Sequence, residues 1–349
     1  MNPKRGLTTK KSVLAPSIIA LAIVLWALVP QVLAHSPLGS GNNESLATAT
    51  VIPDPTKSWA LYAQLHEGGE ANYYGFNITV GQRIHIMLYK SRRSDEAAFS
   101  PSFVLMGPDL VEQGSVPNYL QKPPDAKLLK VQGRQAADAS YEPFSPSSFY
   151  SMADLAIDAP ATGTYYVAVF EPYEGGHYGL AIGDRESYGI AEWILIPLNL
   201  ISIYQWEGQS LMMILSPMIA TIITGLTLII WRMYKMSERG TVLTWLGALA
   251  GLLFVGTAVT TLFEMILASI GAPIGAEIAV TLVFVLIPFL LGFATLRLSL
   301  WKGERVGIRR RMYLAVLGIV ALFIWSGLLI GPTFAIVASL APARRVGRV

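Results

Sequence analysis

The side chains best suited to metal or proton chemistry near neutral pH are four histidines, His35, His66, His85 and His177, all ahead of the apolar runs that begin at residue 190. If a signal peptidase cuts after Ala34, His35 becomes the N-terminal residue. An α-amino group and an imidazole on one residue then chelate copper once a second histidine comes near; otherwise His35 only opens a flexible tether. Asn43, Glu44 and Asp54 are oxygen donors of the kind calcium takes, or ordinary turn residues. His66-Glu67-Gly68-Gly69-Glu70 is not H-E-x-x-H, and its glycines would break the helix that motif needs, so it reads as a turn between strands. There is no cysteine, which excludes disulfides, thiolate metal sites and a cysteine nucleophile. G-x-S-x-G, G-x-x-x-x-G-K and a paired-carboxylate signature are absent too, and the expectation is a protein that is not an enzyme. Trp59, Tyr73, Tyr165, Tyr166 and Tyr173 offer either a sugar-stacking surface or core. Asn43-Glu44-Ser45 and Asn77-Ile78-Thr79 are N-glycosylation sequons.

The elements that must position these groups come in two kinds. The chain has 349 residues, 53% hydrophobic and 14% charged, and its charge is unevenly spread. Residues 35–207 hold 19 acidic and 10 basic side chains; from Gly208 onward there are 4 acidic and 12 basic. The basic residues crowd at the ends of apolar runs, as membrane insertion requires, so nucleic acid is not an expected partner. Residues 1–34 have the form of a secretory signal: Lys4, Arg5, Lys10 and Lys11, an apolar stretch, then small residues before Ala34. Beyond a Gly/Ser/Asn-rich tether at 35–43, β-like runs alternate with turns: 58–65, 73–79, 82–89, 102–106, 126–131, 150–157, 164–170 and 177–182. Several alternate with period 2, as in Tyr74, Phe76 and Ile78 or Tyr178, Leu180 and Ile182. One buried and one wet face per strand implies two packed antiparallel sheets.

Asn43-Glu44-Ser45 with Ala47 to Ala49, then Tyr74-Gly75-Phe76 leading to Val80-Gly81-Gln82, then 159–167 (APATGTYYV) and Gly176-His177-Tyr178-Gly179-Leu180 together resemble bacterial and archaeal pre-peptidase C-terminal domains. The likeness covers about residues 43–183. It differs from that pattern at Ala71-Asn72, where an acidic residue is usual, and in a longer insert at 107–124. The resemblance implies a small jelly-roll sandwich serving as an exported binding or targeting module, some members holding calcium, here with no catalytic domain beside it.

From residue 190 the chain turns apolar. Residues 190–204, interrupted by Pro197, are too short to cross a bilayer and read as an interfacial segment with Trp193, Tyr204 and Trp206 at headgroup depth. Runs at 210–231, 241–263, 278–296 and 312–341 predict four crossings. With the N-terminal domain outside, Arg232, Lys235, Arg239, Arg297, Lys302, Arg305, Arg309, Arg310 and Arg311 fall inside, but a fourth crossing strands Arg344, Arg345 and Arg348 outside; a break at Gly331-Pro332 would relieve that. Gly247 to Gly251 and Gly327 to Gly331 have the G-x-x-x-G spacing of close helix packing. Glu264 is the acid deepest in an apolar run, and a wet interfacial position near the outer end is its expected place. The expected organisation is a signal peptide (1–34), a jelly-roll-like β-sandwich (35–187), an interfacial linker (188–209), a four-helix transmembrane region (210–343) and a basic tail (344–349). Its expected role is a multi-pass cell-membrane protein whose exported sandwich binds a protein partner, glycan or envelope component. The alternative is an accessory subunit of a membrane enzyme or transporter, capping or metallating its partner, and a channel or transporter is a third reading.

Overall fold

A computed structural model of the chain describes residues 35–39, 41–273, 275–301 and 307–342. The expected signal segment and basic tail lie outside the described residues. The described residues form two compact units, one running to residue 214 and including 264–278, the other made of 215–263 and 279 onward.

Alternating apolar residues build the first unit into eleven strands: β1 (Ser36–Pro37), β2 (Thr50–Val51), β3 (Trp59–Leu65), β4 (Ala71–Ile78), β5 (Arg83–Ser91), β6 (Ser102–Gly107), β7 (Lys127–Val131), β8 (Ser140–Glu142), β9 (Ser147–Asp158), β10 (Gly163–Phe170) and β11 (Gly176–Ile182). They form a six-stranded sheet in the order β1-β3-β11-β5-β9-β8 and a five-stranded sheet in the order β2-β4-β10-β6-β7. Both sheets are mixed, because β1 runs parallel to β3 and β2 parallel to β4 while the other pairs are antiparallel. The inward residues anticipated from period 2 do meet in one core. Leu61, Ile86, Leu88, Leu180 and Tyr178 of the first sheet pack with Tyr74, Phe76, Tyr165, Val167 and Val169 of the second. Tyr74 and Tyr178, fully buried, join their hydroxyls across that core at 2.6 Å, so neither phenol is left unpaired.

The chain at 35–39 is less of a tether than its composition suggests. Ser36 is buried and β1 pairs with β3, with the Leu38 amide donating to the Ala60 carbonyl at 2.9 Å. Pro197 does not interrupt the next segment either. Residues Ile190–Trp206 form one helix, α1, and Trp206 and Tyr204 are buried within the unit, Trp206 donating from its indole to the Tyr178 carbonyl at 3.1 Å.

Among the described residues three helices are long and apolar enough to cross a membrane: α2 (Leu211–Lys235), α3 (Val242–Ser269) and α4 (Ile278–Ser299). The fourth apolar run folds instead as α5 (Ile308–Phe323) and α6 (Ile330–Leu340), each too short to span. Backbone geometry forces the break: Trp325, Gly327 and Leu328 all have positive φ, which no right-handed helix holds. It falls ahead of Gly331-Pro332, and Pro332 sits in the first turn of α6, where its missing N–H costs nothing. The two short helices return on one another. A Cβ on Gly318 would meet Pro332, Ala335 and Ile336, and Arg311 Nη1 donates to the Ser339 carbonyl at 2.8 Å. Both G-x-x-x-G pairs are used inside the bundle. Gly251 and Gly292 bring α3 and α4 into backbone contact, and Gly327 and Gly331 lie against the Phe254 ring.

Candidate binding site

The part of the six-stranded sheet's outer face that lies under residues 190–206 carries rings rather than the charged side chains usual on a solvated sheet face, while His85 and Asp154 occupy the same face further along β5 and β9. Tyr62 of β3 and Tyr89 of β5 point outward and meet Trp206 of α1 edge to face, with centroids 5.1 Å (Tyr62–Trp206), 5.9 Å (Tyr89–Trp206) and 6.1 Å (Tyr62–Tyr89) apart. Phe149 of β9 packs on Tyr89 at 4.9 Å. Two backbone features permit this floor. The β5–β9 register slips between Leu88 and Tyr89, a bulge of the kind that re-aims a side chain. Gly179 of β11 also leaves the space that the Tyr89 ring crosses, since a Cβ there would lie 2.0 Å from that ring.

Helix α1 roofs the floor. Ile196, Asn199, Leu200, Ile203 and Trp206, spaced by three and four, line one helical face. The helix is latched at its start: Glu192 receives two hydrogen bonds from Lys57 Nζ, at 2.7 and 2.8 Å, and one from the Gly189 amide at 2.7 Å. Burial pushes the Glu192 carboxyl up, but Lys57 and the Gly189 amide outweigh it and leave it below its ordinary value. Between floor and roof is a cavity of about 230 Å³, several times the ~30 Å³ share of one water. His35 and Pro37 edge it from β1, Glu142 from β8 and Tyr188 from the approach to α1.

Glu142 is the charged group in this space. Burial raises its carboxyl to about 7, the nearby Glu186 adds to the rise, and the Phe144 amide, 3.0 Å from Oε1, opposes it together with the Ser145 amide. None of the described lining residues is Lys or Arg. Burial holds the His35 imidazole below its ordinary value, His85 pushing the same way and Asp184 opposing, so it is no resident cation at neutral pH. Burial also keeps the Tyr62 and Tyr89 phenols well above the usual tyrosine range and therefore protonated.

Sequence reasoning found one member of this set, His35. Its Nδ1 contacts Ser58 Oγ. The second histidine that a copper chelate needs is close by, yet both ring nitrogens of His85 are engaged, Nδ1 by Asp184 and Nε2 by Asp154 at 3.0 Å. Among the described residues no three His, Asp or Glu side chains converge as metal ligands. Of the calcium candidates, Asn43 is buried and fixed to Tyr73 of the five-stranded sheet, its Nδ2 donating to the Tyr73 carbonyl at 3.2 Å. Asp54 instead accepts from Thr56 Oγ1 at 2.7 Å and Arg185 Nη2 at 2.6 Å, beside the end of the other sheet, while Glu44 is exposed. His66 to Glu70 is the β3–β4 turn, with Gly69 at φ +88°. The sugar-stacking set is mostly core: Trp59, Tyr73 and Tyr165 are buried, and only Tyr173 stands clear at 85% exposure. Burial also separates the two sequons, because Asn43 is inaccessible while Asn77 is exposed. Glu264 is buried rather than wet, taking a hydrogen bond from Gln209 Nε2 at 2.7 Å.

Glu142 and Asn199 were missed, although each leaves a mark. Glu142 is an acid set in the aromatic run Tyr141-Glu142-Pro143-Phe144, and Asn199 is a lone amide in the apolar stretch that became α1. Comparison with protein-family models and with curated proteins finds no match to this chain.

Proposed function

We propose that this protein is a membrane-anchored binding protein whose N-terminal β domain, outside the cytoplasm, holds a small ligand in the cavity between its six-stranded sheet and α1. The observation that carries this reading is the cavity itself. It is lined by aromatic and aliphatic side chains around one half-buried carboxylate, an apolar pocket with few polar groups of the kind that binds small molecules. The strand order supports the jelly-roll form of the domain. Numbering β3, β4, β5, β6, β7, β9, β10 and β11 as eight successive strands, the sheets read 1-8-3-6 and 2-7-4-5, two interlocked Greek keys. The resemblance of residues 43–183 to pre-peptidase C-terminal domains points to the same kind of exported module.

Charge supports the orientation. If α2, α3 and α4 cross and the α5–α6 hairpin enters and leaves on one side, all twelve basic residues after Gly208 fall on the cytoplasmic side, Arg344, Arg345 and Arg348 included. A broken backbone at membrane depth is tolerated where protein covers it. Trp325 and Ser326 are buried, and the Gly327 amide donates to Thr257 Oγ1 at 2.7 Å. On α1, Ile190, Ile194, Leu195 and Leu198 face away from the cavity and are exposed, as a helix lying at the membrane interface requires.

The subunit reading draws on α2, which keeps most of its apolar surface uncovered, Met212, Ile223 and Trp231 among it. One purification separates the readings: the full-length protein is isolated in mild detergent and analysed by native mass spectrometry for bound small molecules and chains. A small molecule retained by the wild type and lost from Ala60→Trp and Leu200→Trp, which fill the cavity from floor and roof, supports the binding protein. A stoichiometric membrane chain without any such molecule supports the subunit.

A further inference from the structure

We infer that the cavity takes an organic ammonium group, free or on a lipid head, held between the Glu142 carboxylate and the rings of Tyr62, Tyr89, Tyr188, Phe149 and Trp206. The inference deepens the binding reading above and rests on it.

A carboxylate at the wall of an aromatic pocket is costly to ionise unless a cation meets it. Among the described lining residues there is no Lys or Arg, and the His35 imidazole is held neutral, so no described lining side chain supplies that cation. An anionic ligand would face Glu142 with Glu186 close behind and would be repelled. An ammonium group meets the carboxylate on one side and the negative ring faces on the others, an attraction that strengthens once water is excluded. Phenols held in their protonated form keep those faces neutral, so the rings attract a cation without carrying charge themselves. Asn199 adds an amide on the roof for a hydroxyl or a second polar group. Both free amines and lipid heads carry this chemistry. The exposed apolar back of α1 would place the roof at the depth of lipid heads, which keeps both sources in play.

The test uses the full-length protein in nanodiscs of phosphatidylglycerol, titrated calorimetrically with two cations and their neutral carbon isosteres: choline with 3,3-dimethylbutan-1-ol, and phenyltrimethylammonium with tert-butylbenzene. At least one cation binds ten-fold or more tighter than its isostere. Glu142→Gln weakens that cation ten-fold or more and leaves the isostere unchanged, and Tyr62→Leu weakens the cation more than the isostere. Isosteres that match their cations, with both lost in Ala60→Trp, would overturn the ammonium inference and leave the binding site standing. Binding of neither class to the wild type would overturn both. Repeating the choline titration in phosphatidylcholine nanodiscs assigns the source: loss of the signal makes a lipid head the occupant, and an unchanged signal makes it a free amine.

Discussion

A methyl group on Gly179 would lie 2.0 Å from Cε2 of Tyr89, closer than any contact the ring can keep. Gly179→Ala should therefore push Tyr89 off the sheet and into the cavity, costing about 1–3 kcal/mol of stability and abolishing ligand binding together. A variant that loses stability but still binds would show that the ring is not part of the site. Glu142 makes a prediction about pH. Its value of about 7 in the folded protein lies above the ordinary 4.5, so the native state holds the proton more tightly than the unfolded chain. Stability without ligand then falls as pH rises from 4.5 to 7, and the full cost of the buried charge is carried above that. Glu142→Gln keeps an acceptor for the Phe144 and Ser145 amides and removes the charge. Its melting temperature should equal the wild type's near pH 4 and exceed it increasingly up to pH 7, by at most about 3 kcal/mol in stability. Superimposed melting curves at pH 8 would refute the buried-charge account.

At the scale of elements, α1 is held by a latch that can be opened on its own. Glu192→Ala removes the partner of Lys57 and of the Gly189 amide, which should loosen the helix by about 1–3 kcal/mol and speed amide exchange across 190–206 while β4 and β10 stay protected. Equal exchange in both would mean that packing alone seats the helix. Why the sequence revealed the strands and hid this site follows from what each depends on. Tyr74, Phe76 and Ile78, or Ile84, Ile86 and Leu88, alternate within one strand, and a local pattern is enough to place them on the inner face. β1, β2 and β8 are two or three residues long, too short to hold a period, and they exist because a longer neighbour pairs with them. The site inherits that difficulty, since its carboxylate stands on β8, its histidine precedes β1, and its roof is a helix whose Pro197 reads locally as a break. What brings Tyr62, Glu142 and Asn199 together is sheet order, which no local spacing encodes.

For the whole molecule, the proposed topology turns on the hairpin of α5 and α6. A single fourth helix over 312–341 would carry the C-terminal arginines across; sixteen and eleven residues turning back on each other would not. The hydrogen bond from Arg311 to the Ser339 carbonyl sets the start of α5 beside the end of α6. If the hairpin enters a membrane, the chain leaves it on the side from which it entered. Because there is no native cysteine, single introduced cysteines report their side directly. Tyr173→Cys stands exposed on the β domain, Gly307→Cys just before α5 and Pro342→Cys just after α6. In intact cells an impermeant maleimide should label Tyr173→Cys and neither of the others, and permeabilised cells should give all three. Labelling of Pro342→Cys together with Tyr173→Cys in intact cells would require a fourth crossing and would break the charge argument, because three arginines would then lie outside. Protection of Tyr173→Cys with labelling of Gly307→Cys would invert the whole protein and place the cavity in the cytoplasm.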